Sequence, residues 1–276
     1  MGAKVRSFTD NLSHYRQQTE NKLARIDKEL YQLPESNLTL NHKRGKTYFI
    51  ENSHAGRRGI NDDMDHVYLL ARKRYLKLLR RQIDSSLKSR GSECRTSGQI
   101  AERLDTLLDE YVRADLDISR ITLTPSQYKW MHGNYKSNGS YRENLQYLTN
   151  SGVRVRSKSE RTIADRLSYY AIPYRYESEI EIDVSSLQGI RGTRMGKYKA
   201  YHPDFLIKLS SGKHVIWEHL GLIDLEDYRE SSFEKLFVYR QVGLVSEQYM
   251  ITTYEQDLSD TRIIDDIIVR RIIMND

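Results

Sequence analysis

The sequence predicts an α/β protein, with a mixed sheet covered by helices on both faces, preceded by a mostly helical N-terminal region that contains a β-hairpin. Two observations predict it. Over the first 150 residues, apolar side chains recur at spacings of three and four, interrupted once by a pair of strand-like runs. From about Gly152 onward the order is helix, three strands, helix, strand, helix. Three strands followed by a crossover helix and a fourth strand imply a mixed sheet with helices on both faces. The expected division is residues 1–150 and 151–276.

The first helix is marked by Phe8, Leu12, Tyr15, Leu23, Ile26, Leu30 and Leu33, and Pro34 stops it. "NLTLNH" and "KTYFIEN", joined at Lys43-Arg44-Gly45, form a hairpin near 37–52. "HAGRRGINDD" connects it to a second helix from about Met64 to Leu87, with Leu69, Leu76, Leu79, Ile83 and Leu87 as its buried face. Arg72, Lys73, Arg74, Lys77, Arg80 and Arg81 crowd the rest of that helix and are a candidate basic surface. A third helix carries Ile100, Leu104, Leu107, Leu108 and Tyr111, and Thr124-Pro125-Ser126-Gln127 has the pattern of a capping box.

In the second half, "SKSERTIADRLSYY" predicts a helix over about 158–170. "YRYESEIEI" alternates, with Tyr174, Tyr176, Ile180 and Ile182 on one face and Arg175, Glu177, Glu179 and Glu181 on the other, as a half-buried strand does. Two apolar runs then flank Ser210-Ser211-Gly212. A helix over about 226–241 has Phe233, Leu236, Phe237 and Arg240 along one side and Tyr228, Ser232, Lys235 and Tyr239 along another. "QYMITTY" is a strand, and "DTRIIDDIIVRRII" a final helix.

Charged residues at 30 % and hydrophobic ones at 38 % describe a soluble globular chain with no run long enough to span a bilayer. The N-terminus has no apolar signal region, and the lone Cys94 excludes an intrachain disulfide and a cysteine-built zinc site; both fit a cytoplasmic protein. A net charge of +6 suits a polyanionic partner.

The hairpin around Ser211 holds the informative residues. A three-residue loop centred there pairs positions summing to 422, which sets Asp204 opposite Glu218. Their β-carbons would then lie about 5 Å apart. Acids are depleted in strands, and two carboxylates this close repel unless a proton or a cation lies between them. Two readings remain: an edge hairpin whose acids face solvent, or an oxygen site of the kind that suits magnesium or manganese. Glu160 shares a helix face with Ile163, Ala164 and Leu167, so it points at the sheet. It also completes a capping box with Ser157, and both roles can hold at once.

These residues carry a resemblance. The string "RSKSE…IPYRYE…PDF…WEH.G", followed by Lys235 and Tyr239, resembles the PD-(D/E)XK nuclease superfamily, and within it a bacterial and phage-associated branch with a Trp-Glu-His variant of the third motif. "ELYQLPESNL" and its hairpin look like that branch's N-terminal extension. The resemblance implies a restriction-endonuclease-like core and a metal-dependent endonuclease, a hydrolase cutting phosphodiester bonds. The expected substrate is DNA, with RNA as the other candidate, and the expected setting is phage defence or mobile elements. It implies Asp204 and Glu218 as ligands of Mg2+ or Mn2+, with Glu160 as a third ligand or acting through water.

The superfamily places a lysine two residues after the second acid, where this chain has Leu220. His219 and Lys235 are the two candidate replacements. Between Val184 and Pro203 there is no acid. Arg191, Arg194, Lys197 and Lys199, interspersed with glycines, are candidate phosphate contacts together with Tyr239, and the composition fits a solvated insertion without such contacts equally well. The rival expectation is a catalytically inactive nucleic-acid-binding or assembly module on the same fold. The first helix is a candidate homodimer surface, compatible with either function.

Overall fold

The computed structural model describes residues 8–88, 94–185, 197–221, 226–244 and 249–273. The chain divides into two compact units, Met1–Thr124 and Pro125–Asp276.

In the first unit, helix α1 (Phe8–Gln32) ends just before Pro34. Strands β1 (Asn37–Lys43) and β2 (Lys46–Ser53) form the expected hairpin. Its two-residue turn has Arg44 and Gly45 both at positive φ, 52° and 73°, the geometry that matches strand twist. A third strand, β3 (Gly56–Gly59), pairs antiparallel with β2, in a stretch the sequence reads as a connection. Helices α2 (Met64–Lys88), α3 (Cys94–Arg113) and α4 (Ile118–Thr122) complete the unit. Leu38 and Phe49 of the sheet bury against Val67, Leu70 and Ala71 of α2 and Leu107 and Tyr111 of α3.

Two expectations for α2 are corrected. Its buried face includes Val67, Leu70 and Ala71, while Leu69 is exposed. Four of its six named basic residues are engaged within the unit, while Lys77 and Arg81 are exposed. Arg72 is buried, ion-paired to Glu29, and donates to the carbonyls of Ile121 and Leu123. Lys73 is buried and donates to the carbonyls of Pro34, Glu35 and Ser36 at 2.6, 2.6 and 3.0 Å. Arg74 pairs with Glu110 and Arg80 with Asp27. Arg72 and Lys73 thus supply donors to carbonyls at the ends of neighbouring segments.

In the second unit, helix α5 (Pro125–His132) is followed by strands β4 (Tyr147–Leu148) and β5 (Arg154–Val155). Residues 125–150 therefore belong with the sheet, contrary to the expected division. Gln127 Nε2 donates to the Lys208 carbonyl, Arg175 Nε to the Trp130 carbonyl at 3.0 Å, and Ser137 bridges Ser178. Helix α6 (Lys158–Tyr169) begins at Ser157, whose hydroxyl accepts the Glu160 N–H at 3.0 Å.

Next come β6 (Tyr174–Tyr176), β7 (Ile180–Asp183), β8 (Tyr198–Tyr201), β9 (Phe205–Lys208), β10 (His214–Leu220), helix α7 (Glu226–Gln241), β11 (Met250–Tyr254) and helix α8 (Thr261–Ile267), which continues as a π-turn over Ile268–Ile272. The sheet order is β11-β10-β9-β6. β10 is parallel to β11 and antiparallel to β9, so the sheet is mixed. Phe205, Ile207, Val215 and Trp217 face α6 and α8 through Ile163, Leu167, Ile264 and Ile268. Leu206 and Ile216, of the other parity, face Val238 and Tyr239 of α7.

The single strand expected over 174–182 is two strands. Glu177 sits at φ 45°, and this left-handed residue breaks the alternation. Tyr174 and Tyr176 stay on the α6 side, while Ile180 and Ile182 join the cluster under α7, with β7 paired to β8. Helix α7 is also rotated from expectation. Phe233 and Phe237 are 53 % and 46 % exposed, and Val238 and Tyr239 are fully buried. Among the described residues, no helix is long and apolar enough to cross a membrane.

A pH response follows for the first unit. The carboxylate of Glu51, buried beneath the sheet, accepts from Ser36 Oγ at 2.5 Å and contacts His66 Nε2 at 2.9 Å and Arg58 Nε at 2.5 Å. These bonds lower it from 4.5 to about 2. A depressed carboxylate stabilises the fold above its ordinary value and loses that contribution as pH falls through its folded value. Glu51→Gln should therefore melt below wild type at neutral pH, with the gap closing between pH 4.5 and about 2. Melting curves across that window that stay a constant distance apart would show that the carboxylate is not held low.

Candidate active site

The β9–β10 hairpin places the two acids by register. Leu209 N–H donates to the Lys213 carbonyl at 2.8 Å and Gly212 N–H to the Leu209 carbonyl at 3.0 Å, closing the three-residue loop with Gly212 at φ 87°. The pairs His214–Lys208, Val215–Ile207, Ile216–Leu206 and Trp217–Phe205 follow. The next step of that ladder is Glu218 against Asp204. The strand pairing ends before this step, and the carboxylate of Asp204 takes over: Oδ2 accepts the His219 N–H at 2.6 Å. Asp204 is half-buried, and Glu218 is 3 % exposed.

Helix α7 supplies the partners. Lys235 Nζ donates to Glu218 Oε2 at 2.7 Å and to the His202 carbonyl at 2.6 Å. The Tyr239 hydroxyl donates to Glu218 Oε1 at 3.2 Å. A cavity of about 220 Å³ opens on this group and is lined by Asp204, Glu218, Lys235, Glu177, His202 and Ser232, among others.

The electrostatics follow from two acids and one cation in a largely buried space. Burial, then the Glu218 charge, push the Asp204 carboxyl well above the usual aspartate range. Burial raises Glu218 as well, opposed by Lys235 and by the Tyr239 hydroxyl. Burial alone would lower Lys235, but Glu218 and Asp204 beside it hold its ammonium above the ordinary lysine value. Burial and the Glu218 charge raise the Tyr239 hydroxyl. The cluster is short of one positive charge, which a proton or a second cation can supply.

The other candidate residues fall elsewhere. Glu160 Oε2 accepts from the Tyr176 hydroxyl at 2.6 Å and from the Arg156 N–H at 2.9 Å. It thus caps the helix entry one residue earlier than the expected box, and it does not line the cavity, although its charge reaches Asp204. No bulge turns His219 toward the acids. Its ring lies on the opposite face of β10, between Thr253 Oγ1 and Glu255 Oε2, each at 3.2 Å. Tyr239 is fully buried against Glu218 and cannot be a surface contact to nucleic acid.

Arg191 and Arg194 lie outside the described residues. Lys197 pairs with Asp183 at 3.4 Å and Lys199 with Glu234 at 2.6 Å. The structure adds Glu177 and His202 to the site. Glu177 is ion-paired to Arg156 at 2.7 Å, and its N–H donates to the Asp204 carbonyl at 3.0 Å. Its position depends on the left-handed turn, which a glutamate does not announce in a sequence.

Among the described residues, no group of three or more His, Cys, Asp or Glu side chains is arranged to hold a metal. The groups that converge are the carboxylates of Asp204 and Glu218, an all-oxygen donor set of the type that hard divalent cations take. Comparison of the chain with protein-family models, curated proteins and solved structures found no match in any of the three.

The raised Asp204 gives a signed stability effect. An acid whose folded value is raised stabilises the fold below its ordinary value and loses that contribution as pH rises. Asp204→Asn keeps an acceptor for the His219 N–H and removes the charge. The variant should match wild type at or below pH 3.8 and melt increasingly above it as pH rises toward neutrality in chelator. A variant that melts below wild type at neutral pH would mean that the carboxylate is stabilising as an anion.

Proposed function

We propose that the second unit is a metal-dependent nuclease domain of the PD-(D/E)XK kind, hydrolysing phosphodiester bonds in DNA. One observation carries the reading: Lys235, from the next helix, reaches the buried Glu218 in the cavity that Asp204 also lines. The motif's usual lysine position is occupied by the buried Leu220, and Lys235 brings an ammonium to the acids by another route. Of the two candidate replacements, His219 is disfavoured, because its ring faces away.

In this reading, Asp204 and Glu218 hold a magnesium or manganese ion. Such an ion supplies Lewis acidity toward a phosphate oxygen and lowers the pKa of bound water. Lys235 stays protonated, because both acids favour its charge, and offsets negative charge developing on the phosphate. Tyr239 fixes one oxygen of Glu218 so that the other faces Lys235. The His219 N–H fixes Asp204 in the same way. Glu160 acts on the site by position, anchoring Tyr176 at the helix entry.

A second reading has its own observation. Lys235 already neutralises Glu218, the third acid of the cavity, Glu177, is taken by Arg156, and, among the described residues, no three such side chains are arranged to hold a metal. That arrangement suits a module that binds nucleic acid without cutting it.

The test is incubation with plasmid, single-stranded DNA and RNA in magnesium, manganese or chelator. Metal-dependent products that vanish in Asp204→Asn and Glu218→Gln support the nuclease. Binding without products supports the module, and products that persist in chelator exclude the metal site. Lys235→Met should lower turnover by about 10²–10³-fold, the usual effect of removing one electrostatic stabiliser of a transition state. His219→Ala should cost less, and the reverse ranking would give the role to the histidine.

A further inference from the structure

The three-stranded sheet of the first unit has two unlike faces. Register places Leu38, Leu40, Phe49 and Glu51 on one face, which packs on α2 and α3. The other face presents Asn41 and Lys43 from β1, Lys46 and Tyr48 from β2, and Arg57 from β3, with Arg44 at the hairpin tip. All six residues are exposed, and Tyr48 is 44 % exposed. By the alternation of the three strands, no acid shares this face. The one acid of these strands, Glu51, lies on the buried side and takes Arg58 with it. A hollow of about 620 Å³ beside these residues is lined by Asn41, Lys43, Arg44, Tyr48 and Arg57, and also by Phe49 and Arg58 of the opposite parity.

The charge arrangement works against the fold. Lys43 and Lys46 are direct cross-strand partners, and Arg44 sits between them in the turn. Like charges directly opposite destabilise a sheet. An edge designed only for solubility would mix both signs. A polyanion lying along the face removes the repulsion. Asparagine, arginine and lysine on a narrow antiparallel sheet are also the donors that read base edges and phosphates, and a β-ribbon fits the major groove. A platform for single strands stacks successive bases on several aromatics, and this face has one, Tyr48.

We propose that this sheet face binds duplex DNA, with Lys43, Arg44, Lys46 and Arg57 on phosphates. The proposal stands apart from the catalytic reading of the second unit, and its test is run in chelator so that cleavage plays no part.

The experiment is a salt titration of a fluorescent duplex by anisotropy, using the full chain. One variant carries Lys43→Ser, Arg44→Asn, Lys46→Ser and Arg57→Ser; asparagine is chosen at 44 because it tolerates the positive φ there. A second variant, Arg57→Glu, changes a single exposed residue and serves if the first fails to fold. The fourfold variant should bind at least about tenfold more weakly, and its log–log salt slope should flatten by about three to four units, near 0.9 for each phosphate no longer neutralised. Arg57→Glu should weaken binding in the same direction. Unchanged affinity and slope in a folded variant would overturn the proposal, as would a wild-type chain that does not bind duplex at low salt. Tighter binding of a single strand than of the duplex, abolished in the same variants, would overturn the duplex assignment.

Discussion

The second unit is organised around the buried carboxylate of Glu218. A glutamate on a central strand, 3 % exposed, needs a partner, and breaking a buried ion pair costs about 3–5 kcal/mol. Helix α7 provides Lys235 and Tyr239, and to do so it turns Phe233 and Phe237 outward. Full burial of a phenylalanine is worth about 1.5–3 kcal/mol, so leaving two of them half exposed forgoes about 2 kcal/mol in total. The electrostatic requirement is the larger, and it sets the rotation of the helix. The hydrophobic pattern of α7 points the wrong way because it is the minor contribution.

The same strand is held from its other side. Trp217 Nε1 donates to Thr253 Oγ1 at 2.9 Å, the His219 ring lies between Thr253 and Glu255, and Ser159 Oγ donates to both oxygens of Glu255 at 3.0 and 2.9 Å. Gly221 is close enough that an added Cβ would meet His219 Nε2 at 3.1 Å. The end of β10 is thus fixed through side chains at the point where its ladder to β9 has stopped. There the His219 N–H would have no strand acceptor, and Asp204 supplies one. The paired acids and the buried histidine belong to one arrangement, divided by the plane of the sheet.

What the sequence made legible follows from which constraints are local. The register of β9 against β10, as far as Phe205 and Trp217, was readable because a three-residue loop with glycine at its last position has one pairing scheme. The mixed sheet and its helices on both faces were readable from element order. The break at Glu177 was not, because a glutamate at positive φ is held there by its contacts with Arg156 and Asp204, which are distant in sequence. Strand β3 was hidden because its four residues, Gly-Arg-Arg-Gly, carry no strand propensity and are defined by pairing with β2 alone. The place of Glu160 was half readable: its capping role came through, with the acceptor shifted by one residue to the Arg156 N–H.

Charge shows the same limit most clearly. A run of cations on a helix looks alike in sequence whether it is solvated or buried. In α2, Arg72 and Lys73 serve buried carbonyls, and in the second unit Arg166 and Arg175 are taken by Asp265 and by the Trp130 carbonyl. Net charge therefore overstates what is available to an anionic partner. The informative quantity is the set of cations left after structural demands are met. On the first unit's sheet, strand parity sets Arg58 beside Glu51, where it is ion-paired though largely exposed, and sets its neighbour Arg57 on the face of Lys43 and Lys46. A two-residue period, rather than the total of +6, decides which basic residues can meet a phosphate.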